Sequence, residues 1–136
     1  MGREYTVELN GKRIGTTALE KHDAPMGVVL GIIKLDGHAS GYDLFKRHCV
    51  TNGVEVDDQP DVRCLMTQFM PGIRVHSPEG TEIKGAGITV NGFDDDGWEI
   101  SILGIPYPFY GTEFPHHVRA FEEHFKRGGL RVCSSC

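Results

Sequence analysis

The chain has 136 residues, 39% of them apolar and 24% charged, with a formal net charge of −5. That length suits one domain with a real core, and the composition excludes an intrinsically disordered chain. Lys and Arg are dispersed along the sequence, so the basic footprint that nucleic acid requires is missing, and the longest apolar run, Met26 to Ile33, is far too short to span a bilayer.

Taken in order, Tyr5, Val7 and Leu9 alternate with Thr6 and Glu8, the period-2 pattern of a half-buried strand. Asn10-Gly11 is a strong hairpin signal and predicts a return strand from Arg13 to Leu19. After the turn-like Lys21-His22-Asp23-Ala24-Pro25, the stretch from Met26 to Leu35 is apolar on both phases and reads as a central strand covered on both faces. Ser40-Gly41-Tyr42-Asp43 has the form of a capping box, and Asn52-Gly53 the form of a helix stop, which predicts a helix over 41–51. Residues 54–61 are acidic and read as a loop. Further strands are expected at Asp61–Thr67, Gly72–His76, Glu82–Val90 and Trp98–Ile102, with a turn from Asn91 to Gly97. A last helix is expected over 113–127, with Pro115 in its first turn and Gly128-Gly129 closing it.

The order of three strands, a helix, four or so strands and a helix does not suit a doubly wound parallel sheet. It predicts an α+β fold: a strongly bent, mainly antiparallel, half-barrel-like sheet of about seven strands with two packed helices. Glycines inside strands, such as Gly27, Gly31, Gly85 and Gly87, are the expected bending points. Residues 1–130 form the single expected domain, and residues 131–136 a flexible C-terminal tail.

Four features carry possible chemistry. Ile105-Pro106-Tyr107-Pro108-Phe109-Tyr110 combines stiff backbone with three rings, and Tyr107, Phe109 and Tyr110 are candidate binding residues, with burial beneath the last helix as the alternative. The acidic clusters are Glu55, Asp57, Asp58 and Asp61 in one loop, with Asp57 and Asp58 the candidates, and Asp94, Asp95 and Asp96 in another, a chemistry suited to a basic partner. The second cluster does not match a calcium loop, because Gly92 and Leu103 stand where ligands are needed. On the last helix, His117 and His124 share a flank with Glu113, a candidate metal set, although seven residues separate the histidines where a zinc-binding helix uses four. Cys49 and Cys64 sit in apolar surroundings as core thiols, while Cys133 and Cys136 form a terminal C-x-x-C that reads as tail rather than as a zinc site.

The expected function is that of a small, acidic, cytoplasmic protein-binding domain without catalytic activity. Its analogy with immunity and adaptor proteins is one of size and charge only. The expected partner is another protein, basic by complementarity, with a homodimer as the second option; no cofactor, nucleic acid or membrane is expected. The start of the chain, with no apolar signal core, is the basis for the cytoplasmic expectation. The alternative is a small-molecule or metal-dependent enzyme with a cleft in the curved sheet and Glu113, His117 and His124 at its mouth.

Overall fold

The computed structural model describes residues 3–37, 40–67, 69–94 and 97–124. The chain is an α+β protein built on one large antiparallel sheet that does not close into a barrel. The first hairpin joins β1 (Tyr5–Leu9) to β2 (Lys12–Thr17) through Asn10 and Gly11, both with positive φ (53° and 80°), the conformation that Asn-Gly tolerates best. A short β3 (Lys21–Asp23) follows, then β4 (Val28–Leu35), helix α1 (Gly41–Asn52), β5 (Val56–Gln59), β6 (Cys64–Thr67) and β7 (Ile73–His76). Then come β8 (Gly87–Phe93), β9 (Gly97–Leu103), the short α2 (Phe109–Glu113) and α3, whose described part covers 115–124.

The strands lie in the order β5-β6-β8-β9-β4-β2-β1-β7, and β3 pairs with the first half of β4. Thus β2 and β3 share one edge of β4 while β9 takes the other. Between β2 and β3 the chain bulges: Leu19 adopts a positive φ of 47°, the Thr17 hydroxyl accepts from its N–H, and the Glu20 carboxylate accepts the Ile32 N–H that the ladder leaves over. Gly31 faces this bulge, and a Cβ there would lie 2.6 Å from Thr17 Oγ1 and 2.8 Å from Leu19 Cα. Only glycine allows the bulge to close over β4.

The two sheet faces have different fates. The inner face carries Tyr5, Val7, Val29, Ile33, Leu65, Val90, Trp98, Ile100 and Ile102 in a continuous core. Helix α1 covers one part of it through Tyr42, Phe45 and Cys49, with Phe45 and Trp98 ring centroids 5.3 Å apart. Phe114 and Tyr110 cover another part, with Phe114 set against Tyr5 at 5.8 Å. On the outer face, Val28, Leu30 and Ile32 of β4 alternate with their buried neighbours, and Ile32 is 44% exposed. The both-face cover expected of Met26–Leu35 is therefore corrected: β4 is central in the sheet, yet among the described residues only one side of it is packed.

Several boundaries also differ from expectation. Residues 56–59 form edge strand β5, in which half-buried Val56 and Asp58 alternate with exposed Asp57 and Gln59. β3 replaces part of a predicted turn. The strand predicted at Glu82–Val90 starts later, at Gly87, because 82–86 cross over from β7: Ile83 N–H bonds to Val75 O and Ala86 N–H to Leu103 O. The strand then continues to Phe93, through half of the predicted turn. The helix predicted over 113–127 is broken at Phe114, which has φ −122° and ψ 53°. Pro115 explains the break, since it disfavours helical backbone at the residue before it and opens α3 at its own position. The expected tail, with Cys133 and Cys136, lies outside the described residues.

Candidate functional site

The register of the sheet brings together residues from four strands on the outer face. Cross-strand partners share a face, so Met66, Asn91 and Glu99 align in one row with Ile32. Thr89, Ser101 and Leu30 align in the next, and Gly87 pairs with Leu103 beyond them. Phe69 lies across Gly87, where a Cβ would come within 2.5 Å of its ring, yet the ring remains 55% exposed. Met66 is 49% exposed. The result is a mixed surface, with Leu30, Ile32, Met66, Phe69 and Leu103 set among the polar side chains of Thr89, Asn91, Glu99 and Ser101. No helix of the described residues covers it.

At the β5 end this surface deepens into a depression of about 660 Å³ lined by Glu55, Asp57, Met66, Thr89 and Asn91, among others. Among the described residues β5 pairs only with β6, so its other edge is open there. Glu55, Asp57 and Asp61 are exposed along and beside that edge. By contrast, Glu99 in the middle of the face forms an ion pair with Lys21 at 3.0 Å.

The remaining acidic candidates have other roles. Asp58 accepts from the Tyr42 hydroxyl at 2.6 Å and pairs with Lys46 at 2.9 Å, and these two donors hold its carboxyl below the usual range. Asp94 turns inward: it accepts from Ser40 Oγ, the Tyr42 N–H, Arg63 Nε and Trp98 Nε1. Burial alone would raise its carboxyl, but the donors prevail and hold it at about 2. Asp94 thus ties the start of α1 to the β8–β9 turn. Asp95 and Asp96 lie outside the described residues.

The aromatic segment divides. Tyr110 is fully buried and its hydroxyl donates to Val28 O, so it belongs to the core. Phe109 is half-buried against the core. Tyr107 is 51% exposed, stacks on Tyr110 at 5.2 Å and donates to Ala24 O. Met26, the next exposed apolar side chain along the chain from Ala24, is 67% exposed.

The histidine-rich segment does not assemble the expected metal set. Glu113 lies before the helix break and accepts from the Tyr5 hydroxyl at 2.8 Å and from Arg3 at 3.0 Å. His117 is buried, with Nε2 2.8 Å from Leu19 O, and His124 is exposed at a shallow pocket shared with His22 and Asp23. Among the described residues no group of three His, Cys, Asp or Glu side chains is placed to hold a metal ion. Comparison with protein-family models, curated sequences and solved structures returned no match.

The outer-face residues Ile32, Met66, Phe69 and Leu103 are not among the candidates that the sequence offers. Alternation in Cys64-Leu65-Met66-Thr67 was the available signal for Met66. For Ile32 the signal was ambiguous, since a run apolar on both phases fits a strand buried on two faces equally well.

Proposed function

We propose that this chain is a protein-binding domain that takes a basic, extended partner segment along edge strand β5, with the partner's apolar side chains over Met66. The observation that carries this reading is the edge of β5, open among the described residues, beside a depression lined by Val56 and Met66 together with polar side chains, with Glu55, Asp57 and Asp61 exposed along it. Strand addition supplies main-chain hydrogen bonds, and the pockets under alternate side chains supply selectivity. Carboxylates on the edge disfavour pairing with a second copy of the same edge and favour a segment of opposite charge. A reducing compartment suits the two free thiols, Cys49 and Cys64, and supports a cytoplasmic setting. No helix of the described residues is long and apolar enough to cross a membrane.

The test uses the full chain and a labelled peptide of alternating Lys and Val. Saturable binding is expected at low salt, weakening as salt rises. The double substitution Glu55→Lys and Asp57→Lys should abolish it, and Met66→Asp should weaken it by about tenfold or more, the factor that corresponds to about 1.4 kcal/mol. No binding at low salt, or binding unchanged in the charge-reversed variant, would overturn the proposal.

A further inference from the structure

Three histidines distant in sequence meet where α3 rests on β3. The His117 ring is 4% exposed and stacks on His22 of β3 with centroids 4.6 Å apart and planes at 27°. On its own side it contacts Phe114 at 5.7 Å and His116 at 4.2 Å. Its Nε2 donates to the Leu19 carbonyl at 2.8 Å, in the bulge between β2 and β3. That bond assigns the neutral ring one tautomer, with the proton on Nε2 and a lone pair on Nδ1. His22 Nδ1 is also buried and has no hydrogen-bond partner among the described residues. An unprotonated nitrogen can be left there at modest cost, whereas an N–H would be a buried donor with nothing to receive it.

We infer that this stack of neutral imidazoles is an acid-sensitive latch that holds α3 on the sheet near neutral pH and releases it under mild acid. Protonation of His117 would place a cation in a buried site against two further imidazoles. The groups around it give no relief. From β3 it faces His22, and from α3 it faces His116, which itself stands near the cations Arg119 and Arg3. The carboxylate of Glu113, from α2, is engaged by Arg3 and Tyr5, and Asp23 lines a shallow pocket at the α3–β3 junction with His22 and His124. Burial pushes the His117 imidazole below its ordinary value, the bond to Leu19 O opposes this, and His116 and His22 add to the fall. For a base lowered in the folded state the sign is clear. Docking is complete above the free value of 6.5 and weakens as pH falls below it, until the folded value is passed. Each unit of depression corresponds to a tenfold loss in the docking equilibrium. Among the described residues, Phe114, Val118 and Phe121 are the apolar contacts that α3 and its junction make with the core. Local opening of such a segment can precede global unfolding.

The experiment follows the imidazole Cε1–H signals of the labelled full chain by NMR between pH 7.5 and 5, with amide exchange of 115–124 corrected for the intrinsic pH effect. The expected results are a His117 midpoint below that of free imidazole and a loss of protection in 115–124 as pH falls. His117→Gln keeps a neutral donor for Leu19 O and should flatten that dependence; His22→Phe keeps an aromatic ring in the stack without an imidazole and should reduce it. A His117 midpoint at or above 6.5, unchanged protection at pH 5, or the same dependence in a folded His117→Gln chain would each overturn the inference. The wild-type titration decides the matter even if a variant fails to fold.

Discussion

The Asp94 carboxylate accepts the backbone N–H of Tyr42 at 3.0 Å, so a residue of the β8–β9 turn caps the first turn of α1. It adds to the cap made locally by Ser40, whose hydroxyl accepts from the Asp43 N–H and donates to Asp94. Arg63 completes the knot through Asp94 and Asp43. Asp94→Ala should therefore cost about 2–3 kcal/mol, the range for hydrogen bonds to a charged group, with the donors left behind adding to the loss. Urea unfolding at pH 7 measures it.

The same carboxylate predicts an acid limb. Its folded value is lowered to about 2 from 3.8, so the stability it confers is complete above pH 4 and is lost as pH falls through 4 toward 2. The contribution is on the order of 2 kcal/mol. Melting curves should show wild type and Asp94→Asn converging as pH approaches 2. This limb lies well below the histidine window, so the two are separable in one pH series.

Gly41 lies against the Trp98 indole, and a Cβ there would come within 2.6 Å of Cδ1 and 2.7 Å of Cε2. Trp98 is 4% exposed and has no room to withdraw. Gly41→Ala should cost about 1–3 kcal/mol as an overpacked contact, despite alanine's better helix propensity. Trp98 fluorescence should change in the folded state; an Ala variant as stable as wild type, with unchanged emission, would contradict the packing described.

Tyr107 and Tyr110 are stacked, yet their substitutions should separate cleanly. Tyr110→Ala removes a fully buried ring and the donor to Val28 O, and should lower stability by about 3–5 kcal/mol. Tyr107→Ala removes a half-exposed ring, with a loss of about 1 kcal/mol that reflects its bond to Ala24 O. Denaturant midpoints of the two variants make the comparison.

Zinc supplied at one equivalent should leave the melting temperature unchanged, since Glu113 faces Arg3 and Tyr5 while His117 faces Leu19. A rise of several degrees that chelator reverses would require His22, Asp23 and His124 to rearrange into a site around their shared pocket.

The elements specified by local physics were readable from the amino-acid sequence alone. The Asn10-Gly11 hairpin, the Ser40 cap and Gly53 stop of α1, and the α+β class with an antiparallel sheet all depend on residues within a few positions of one another. Backbone strain and period-2 or period-3.6 burial leave a direct trace at that range. The tertiary structure decided what depends on partners distant in the chain. It turned Asp94 from an apparent surface acid into an internal cap, because its donors come from Ser40, Tyr42 and Arg63 as well as nearby Trp98. It left Ile32 exposed because, among the described residues, α1, α2 and α3 all pack on the opposite side of β4, which no pattern within β4 encodes. It brought His22 against His117 across 95 positions, because the order of strands, rather than any spacing in the sequence, places β3 beneath the last helix.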